Sequence, residues 1–402
     1  MNFVPSEDVR AELLASVTDT FERRFYEPTL HGVALRQLLT EQQAELLTSQ
    51  TFSRNLNALL ITINAYPIEF FHESERRIGL WKAIQCSFHR WNGHWIFQDV
   101  LPDGWADRAG VQPGAELLAV DGQDVNGTEI PKFVLSSQVK VAFQNPQGKP
   151  QHFTFDPTAK EDEDSHRYVT HKTLEPGIGY LRISKFPGVL GMGVAQATDQ
   201  AIEALNRPHV LIVDMRGNLG SVGAGNLRLM GYFTPQKKPV GYSLTRARAE
   251  QGYRREDLIQ FTKIPRHQLQ VPLLLLKFKN ADKSIVVVTE GLRKQSFHGR
   301  IILLVNEHTI SGGEIVAGFA SDHQLAHLVG CSTSGHLLAW STLSVGHDCF
   351  LTLPTGNYLT WEGKSFEGTG VIPNTLIPFS PEAARNRQDN QLEAALQMAR
   401  RL

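Results

Sequence analysis

The stretch Ile301-Ile302-Leu303-Leu304-Val305-Asn306-Glu307-His308-Thr309-Ile310-Ser311-Gly312-Gly313-Glu314, followed by the apolar run Ile315 to Ala320, decides how this chain is read. The run Ile301 to Val305 predicts a buried strand, and the apolar run after Glu314 predicts a helix. A strand that turns sharply into a helix exposes the side chain at its corner. It also aims the first helical N–H groups at whatever lies beside that corner. Ser311 at this bend is therefore either a nucleophile with oxyanion donors at hand or a plain helix cap. Gly312 and Gly313 let another backbone approach closely. Glu314 falls in the first helical turn, where its charge suits the positive helix end, and stays outside the candidate chemistry.

A second stretch of the same form lies upstream, His209-Val210-Leu211-Ile212-Val213-Asp214-Met215-Arg216-Gly217-Asn218-Leu219-Gly220. Again a buried strand runs into a glycine-rich turn. Such a turn either offers an unpaired N–H to an oxyanion or simply needs glycine for positive φ. Further strands are expected at Gly179–Ile183, Pro272–Leu276 and Ile285–Val288, with helices at Val194–Leu205 and Asn390–Arg400. Continuous apolar strands separated by helices predict an α/β fold, a mostly parallel sheet with helices on both faces. Its expected span is 161–402.

Ahead of it the pattern changes twice. From residue 1 to 88 it is helical: Ser6 caps a first helix, and Val9, Leu13, Val17 and Phe21 form one stripe until Glu27-Pro28 breaks it. Further helices are expected around Leu35–Leu47 and Leu56–Leu60. From 89 to 160 short strands alternate with turns: Trp95-Ile96-Phe97 and Asp99-Val100-Leu101 around a bend, then Leu117–Val120, Val139–Phe143 and Phe153–Phe155. The acidic run Lys160–Asp164 reads as a solvated linker.

Bulk properties narrow the partners. With 402 residues, 41% hydrophobic and 20% charged, the chain is expected to form two or three globular units. A formal net charge of -1 gives no field that would gather nucleic acid or an anionic membrane. The three cysteines, Cys86, Cys331 and Cys349, provide no disulfide framework and no zinc spacing. No apolar run reaches the roughly 18 residues of a membrane span, and the first 26 residues lack a secretory pattern. A cytoplasmic location, no cofactor, and no nucleic-acid or membrane partner are the expectations.

Two resemblances add to this reading. Ala106–Ala109, then Gly110-Val111-Gln112-Pro113-Gly114, then Leu117–Val120 closing on Asp121-Gly122 resemble a PDZ domain. Such domains bind peptide carboxyl termini by adding a strand to a sheet edge. Here that edge is expected near Gly93 and Trp95. A bracing role for the unit is the alternative. The motifs Asp214-x-Arg216-Gly217-Asn218-x-Gly220, Ser311-Gly312-Gly313-Glu314 and Glu367-Gly368-Thr369-Gly370-Val371-Ile372-Pro373 together resemble the carboxy-terminal processing and tricorn-like serine peptidases. The resemblance implies a ClpP/crotonase-like core, Ser311 as nucleophile, and an oxyanion hole from the N–H groups of Gly220 and Gly312. It also implies Glu367 as the acid that orients the base, and peptide or protein carboxyl-terminal segments as substrates. It allows a homo-oligomer.

The chain departs from the family at Ser221, Asn374, His336 and Pro67. His336 stands in Thr333-Ser334-Gly335-His336 where one branch has lysine, and Tyr66-Pro67-Ile68 where the other has a histidine motif. Three readings stay open. His336 deprotonates Ser311, with Glu367 completing the set. Another histidine, His72 or His308, does so. Or the chain is a decayed or redirected member that binds peptides or does other chemistry on the same oxyanion hole. Asp322 matches a supporting acid of the family, and Arg246–His267 is expected to form a lid or an assembly contact.

Overall fold

The computed structural model describes residues 3–29, 33–125, 127–135, 138–159, 168–187, 191–220, 223–262, 264 and 284–402. Ser221, the linker Lys160–Asp164, the strand expected at Pro272–Leu276 and much of the end of Arg246–His267 lie outside the described residues. No helix among the described residues is long and apolar enough to cross a membrane.

The site is built on a six-stranded sheet. Ile178–Ile183, Val210–Asp214, Arg300–Val305, His327–Gly330 and Thr375–Leu376 run parallel in that order, and Val169–Glu175 joins one edge antiparallel. Side chains alternate along a strand, so each apolar run splits between two faces. Leu211, Val213, Ile301, Leu303 and Val305 face a core shared with the helices Met192–Ala204, Ala224–Phe233 and Gly312–Asp322. Val210, Ile212, Ile302 and Leu304 face the helix Asn390–Ala399. Burial on both sides is why these strands carry no polar alternation.

Ile285–Val288 does not belong to this sheet. It pairs antiparallel with Pro239–Thr245 in a second, mixed sheet that also holds Glu69–His72, Ile259–Phe261 and the long strand Cys349–Thr360. An apolar run signals two covered faces without saying which sheet supplies the neighbours. Ala339–Gly346 folds back on Cys349–Thr360 as a hairpin. That hairpin seats the N-terminal helices Glu7–Arg24, Leu35–Glu41, Gln43–Thr48 and Phe52–Leu60. Leu13, Val17, Phe21, Leu56 and Leu60 form one core with Val345, Cys349, Leu351 and Leu353.

The β-rich unit has the strand order Cys86–Trp91, His94–Val100, Glu116–Val120, Val139–Gln144, Pro150–Phe155. Its first strand opens at Cys86, and Leu80 and Ile84 share its core, so the boundary expected at residue 88 falls inside a strand. Residues 94–100 form one strand, and the bend expected between Phe97 and Asp99 is a register irregularity between Phe97 and Val100 in its pairing with Cys86–Trp91. That strand is flanked on both sides, and Gly93 lies in the two-residue turn between its start and Trp91, with Asn92 and Gly93 at φ 50 and 86. The expectation of an open edge at Gly93 and Trp95 is thereby corrected: Trp95 is buried in an interior strand, and the unit's outer strand on this side is Cys86–Trp91. Hydrophobic alternation marks strands but does not order them within a sheet.

Leu351 is fully buried where the hairpin meets the helices. Leu351→Ala should destabilise the chain by about 2–5 kcal/mol, read as a lower urea midpoint with an unchanged slope.

Candidate active site

Ser311 stands between the strand Arg300–Val305 and the helix Gly312–Asp322 with φ 50 and ψ -109. Positive φ in a serine is a strained conformation that persists only where its surroundings enforce it. Glu314 enforces it. Its carboxylate, fully buried, accepts from Ser311 N–H (3.0 Å), Thr333 Oγ1 (2.7 Å), Gly335 N–H (2.6 Å) and His336 N–H (2.9 Å). Burial holds its pKa above the ordinary value even against these donors. Both Ser311 N and His336 N bond Oε2, so the two nitrogens are at most 5.9 Å apart, the sum of the two distances. The spacing Ser311-x-x-Glu314 is a capping-box pattern, the signal by which sequence reading could have found this role.

The segment bearing His336 is locked from its other side. Thr333 N–H donates to Val371 O (3.1 Å), Val371 N–H to Thr333 Oγ1 (2.7 Å), and Gly368 N–H to Gly335 O (2.8 Å). A Cβ on Gly370, at φ +67, would stand 2.1 Å from Thr333 O. The glycines of the third motif therefore admit the second segment's backbone.

Glu367 differs from expectation. Its carboxylate accepts from the N–H groups of Leu337 (2.7 Å) and Leu338 (3.1 Å), and among the described residues no hydrogen bond joins it to the imidazole of His336. It holds the backbone after the histidine instead of setting the ring's tautomer. Burial, then the charge of Glu314, push its pKa up to about 7 despite the two amides. The His336 ring instead stacks on Tyr66, centroids 4.1 Å apart at 23°. Burial lowers the imidazole's pKa, favouring the neutral form that accepts a proton. A second residue of the helical segment approaches as well: the phenol of Tyr26 is pushed up to about 12 by burial and then by the charge of Glu367. Tyr26 carried no sequence signal, and Tyr66 was signalled only by its place in Tyr66-Pro67-Ile68, where the resemblance expects a histidine motif.

The other histidines separate. His72 stacks on Phe3 at 4.1 Å and bonds Ser74 Oγ (2.7 Å), while its backbone pairs with Cys349, away from the elbow. His308 has its Nε2 buried without a hydrogen-bond partner, 4.0 Å from Glu307. Asp322 closes the far end of the helix that follows Ser311, about 15 Å along its axis, and faces Lys364 at 3.5 Å.

The Gly220 turn meets the elbow directly. Asn218 O accepts from Ile310 N–H (3.2 Å), and Leu219 N–H donates to Ser184 O (3.0 Å). A Cβ on Gly220 would stand 2.7 Å from Asn218 Oδ1 and 3.2 Å from Gly313 N. The charged residues of the same motif serve another purpose. Asp214, fully buried, bonds Arg216, Tyr180 and Arg182, and Arg216 continues to Asp389, the cap of the C-terminal helix. The flanking guanidinium groups hold the Asp214 carboxyl well below the usual range against the opposing effect of burial. Asp214 and Arg216 thus anchor the turn to the last helix.

Comparison with known proteins adds the following. A model of peptidase family S41 matches residues 177–377. The chain is 24% identical over 320 residues to a carboxyl-terminal-processing protease of Synechocystis sp., covering 73% of this chain and 62% of that one. It is 23% identical over 286 residues to the chloroplastic carboxyl-terminal-processing peptidase 1 of Arabidopsis thaliana, covering 68% and 50%. It therefore spans between half and two-thirds of these relatives' lengths. In fold it is similar to the photosystem II D1 C-terminal processing protease, with TM-score 0.56, 16% identity and coverage of 95% and 97%. It is similar also to mature CPAF complexed with lactacystin, with TM-score 0.59, 13% identity and coverage of 98% of each chain.

Glu314→Ala removes the acceptor of four buried donors. It should cost at least about 3 kcal/mol in chemical denaturation. Glu314→Gln, which turns an NH2 toward amide N–H groups, should also destabilise the chain, though less.

Proposed function

Because the chain belongs to peptidase family S41, we propose that it is a serine peptidase acting on carboxyl-terminal segments of peptides or proteins, with Ser311 as nucleophile and His336 as general base. The observation that carries this reading is the shared carboxylate: one oxygen of Glu314 holds the backbone N–H of both residues. Serine needs a neighbouring proton acceptor. A half-buried imidazole on the adjoining segment, whose pKa burial lowers toward the neutral form, is suited to the task. The N–H groups of Gly220 and Gly312 form the oxyanion hole in this reading, supported by the contact of the Gly220 turn with the start of the helix. Glu367 and Tyr66 position His336, the first through the backbone and the second by stacking. The β-rich unit is PDZ-like and takes substrate carboxyl termini along its outer strand, Cys86–Trp91.

One observation favours a second reading, a peptide-binding scaffold with decayed catalysis: no acid is bonded to the His336 ring among the described residues. A fluorophosphonate probe separates the two. The peptidase reading expects wild type to be labelled and Ser311→Ala not to be. Peptide hydrolysis should fall by at least about 10³-fold in both Ser311→Ala and His336→Ala. An unlabelled wild type that still binds peptides with free carboxyl termini would leave the scaffold. Gly220→Ala, whose methyl collides with Asn218 Oδ1, should lower kcat by about 10²-fold.

The pH profile gives a further check. Activity should rise with pH as His336 loses its proton, with a midpoint below 6.5, the imidazole's ordinary value. Ionisation of Glu367 should add an inflection near pH 7, because the carboxylate binds the Leu337 and Leu338 amides more strongly than the acid does. Glu367→Gln should abolish that inflection and keep the lower one.

A further inference from the structure

We propose that Asp99, on an interior strand of the β-rich unit, is a positioning residue for the Gly217–Gly220 turn and acts through the side-chain amide of Asn306. The inference rests on the reading that Gly220 supplies an oxyanion donor. Asp99 is 7% exposed and belongs to the strand His94–Val100. Its Oδ2 accepts from Ser87 Oγ (2.6 Å) on the neighbouring strand and from Asn306 Nδ2 (2.8 Å) on the loop that leads to Ser311. Its own N–H donates to Ser87 Oγ (3.0 Å). Asn306 is fully buried, and its Oδ1 accepts from Gly217 N–H (2.9 Å) and His308 N–H (3.2 Å). Gly217, at φ +64, rests on Asp99 itself: a Cβ there would stand 3.0 Å from both Asp99 Cβ and Oδ2.

The chemistry of the amide makes this arrangement directional. An asparagine side chain has nearly the same shape when its oxygen and nitrogen exchange places. Which end faces Gly217 N–H decides whether the turn gains an acceptor or meets a second donor. A carboxylate offers only acceptors, so Asp99 draws Nδ2 to itself and leaves Oδ1 for Gly217. An alanine at position 99 removes that bias. Arg182 lies in the same region: its Nη1 reaches Asp214 (3.3 Å), its Nε and Nη2 are buried without hydrogen-bond partners among the described residues, and it attracts Asp99 electrostatically. Asp99 therefore sits between the positive guanidinium and the neutral donors of Ser87 and Asn306. Its bonds go to those groups, which makes it a positioning residue and not a catalytic one. An oxyanion donor displaced by a fraction of an ångström loses much of its effect in the transition state.

The test compares Asp99→Ala, Asp99→Asn and Ser87→Ala in the full chain, with a p-nitrophenyl ester as substrate, a fluorophosphonate as probe, and amide hydrogen exchange across residues 215–220. In Asp99→Asn the new Oδ1 still accepts from Ser87 and Asn306. Asp99→Ala should lower kcat and the labelling rate by about 10²-fold with KM within about twofold, and should speed exchange at Gly217. Asp99→Asn should stay within about threefold of wild type in all three readouts. Ser87→Ala only loosens Asp99, so it should lower kcat by about fivefold and keeps the test alive should Asp99→Ala not fold. Unchanged kcat and Gly217 exchange in Asp99→Ala, or in Ser87→Ala should the former not fold, would overturn the proposal. So would an equal loss in Asp99→Asn and Asp99→Ala. If wild type resists the probe, the peptidase reading fails while the exchange measurement still decides whether Asp99 holds the turn.

Discussion

One buried carboxylate organises the candidate site. Glu314 sits in the first turn of its helix, and its four donors come from the elbow, from Thr333 and from the two residues Gly335 and His336. A carboxylate away from water is costly unless its lone pairs are satisfied. Here satisfaction requires that two separate backbone segments converge on one point. The strain of Ser311 at positive φ is stabilised by the same carboxylate oxygen that brings His336 near. Withdrawing the carboxylate would relax the elbow and free the neighbouring segment together, so the geometry of Ser311 and the position of its neighbour are one property.

The charged residues of the upstream motif act at a different level. Asp214 and Arg216 form a buried ion pair extended to Asp389, which itself caps the helix Asn390–Ala399 through Leu392 N–H (3.0 Å). A buried pair contributes little net stability, yet breaking it strands a charge. Its use here is register: it ties the strand that precedes the glycine turn to the last helix, so the turn emerges from a fixed place. Asn306 then sets the turn's other end through Gly217. The glycine turn is thus held by groups from three separate parts of the chain.

Much of this was legible in the sequence, for a physical reason. Strand-to-helix corners with glycine leave a local signature, and both the Ser311 and Gly220 corners stand where the apolar runs end. The central strands were legible because burial on both faces removes polar alternation. Tertiary choices were not. The hairpin Ala339–Cys349 and its extension to Thr360 mix polar and apolar positions on a half-exposed sheet, and no periodicity of one strand names its partner. Trp95 was expected at an edge from the resemblance to a PDZ domain, whereas position in the sheet depends on pairing with Glu116–Val120. Glu367 carried the right motif and reached the right segment, but its oxygens found backbone amides where an imidazole was expected.

That last difference bears on how the site is put together. In a Ser-His-acid set the acid holds the ring by a hydrogen bond, which selects the tautomer and supports the imidazolium once it forms. Here the ring is restrained by a face-on contact with Tyr66, and no hydrogen bond among the described residues ties it to Glu367. Stabilisation of a charged imidazole must then come from a distance, from Glu314 and Glu367, whose carboxyl groups surround the same segment. Burial raises the pKa of both acids and lowers that of the histidine. Burial acts on all three groups toward the neutral form, and the donors on Glu314 and Glu367 act against it. In the proposed reaction a proton passing from Ser311 to His336 would place a positive charge on this segment, where Glu314 and Glu367 counter it to the extent that they are ionised.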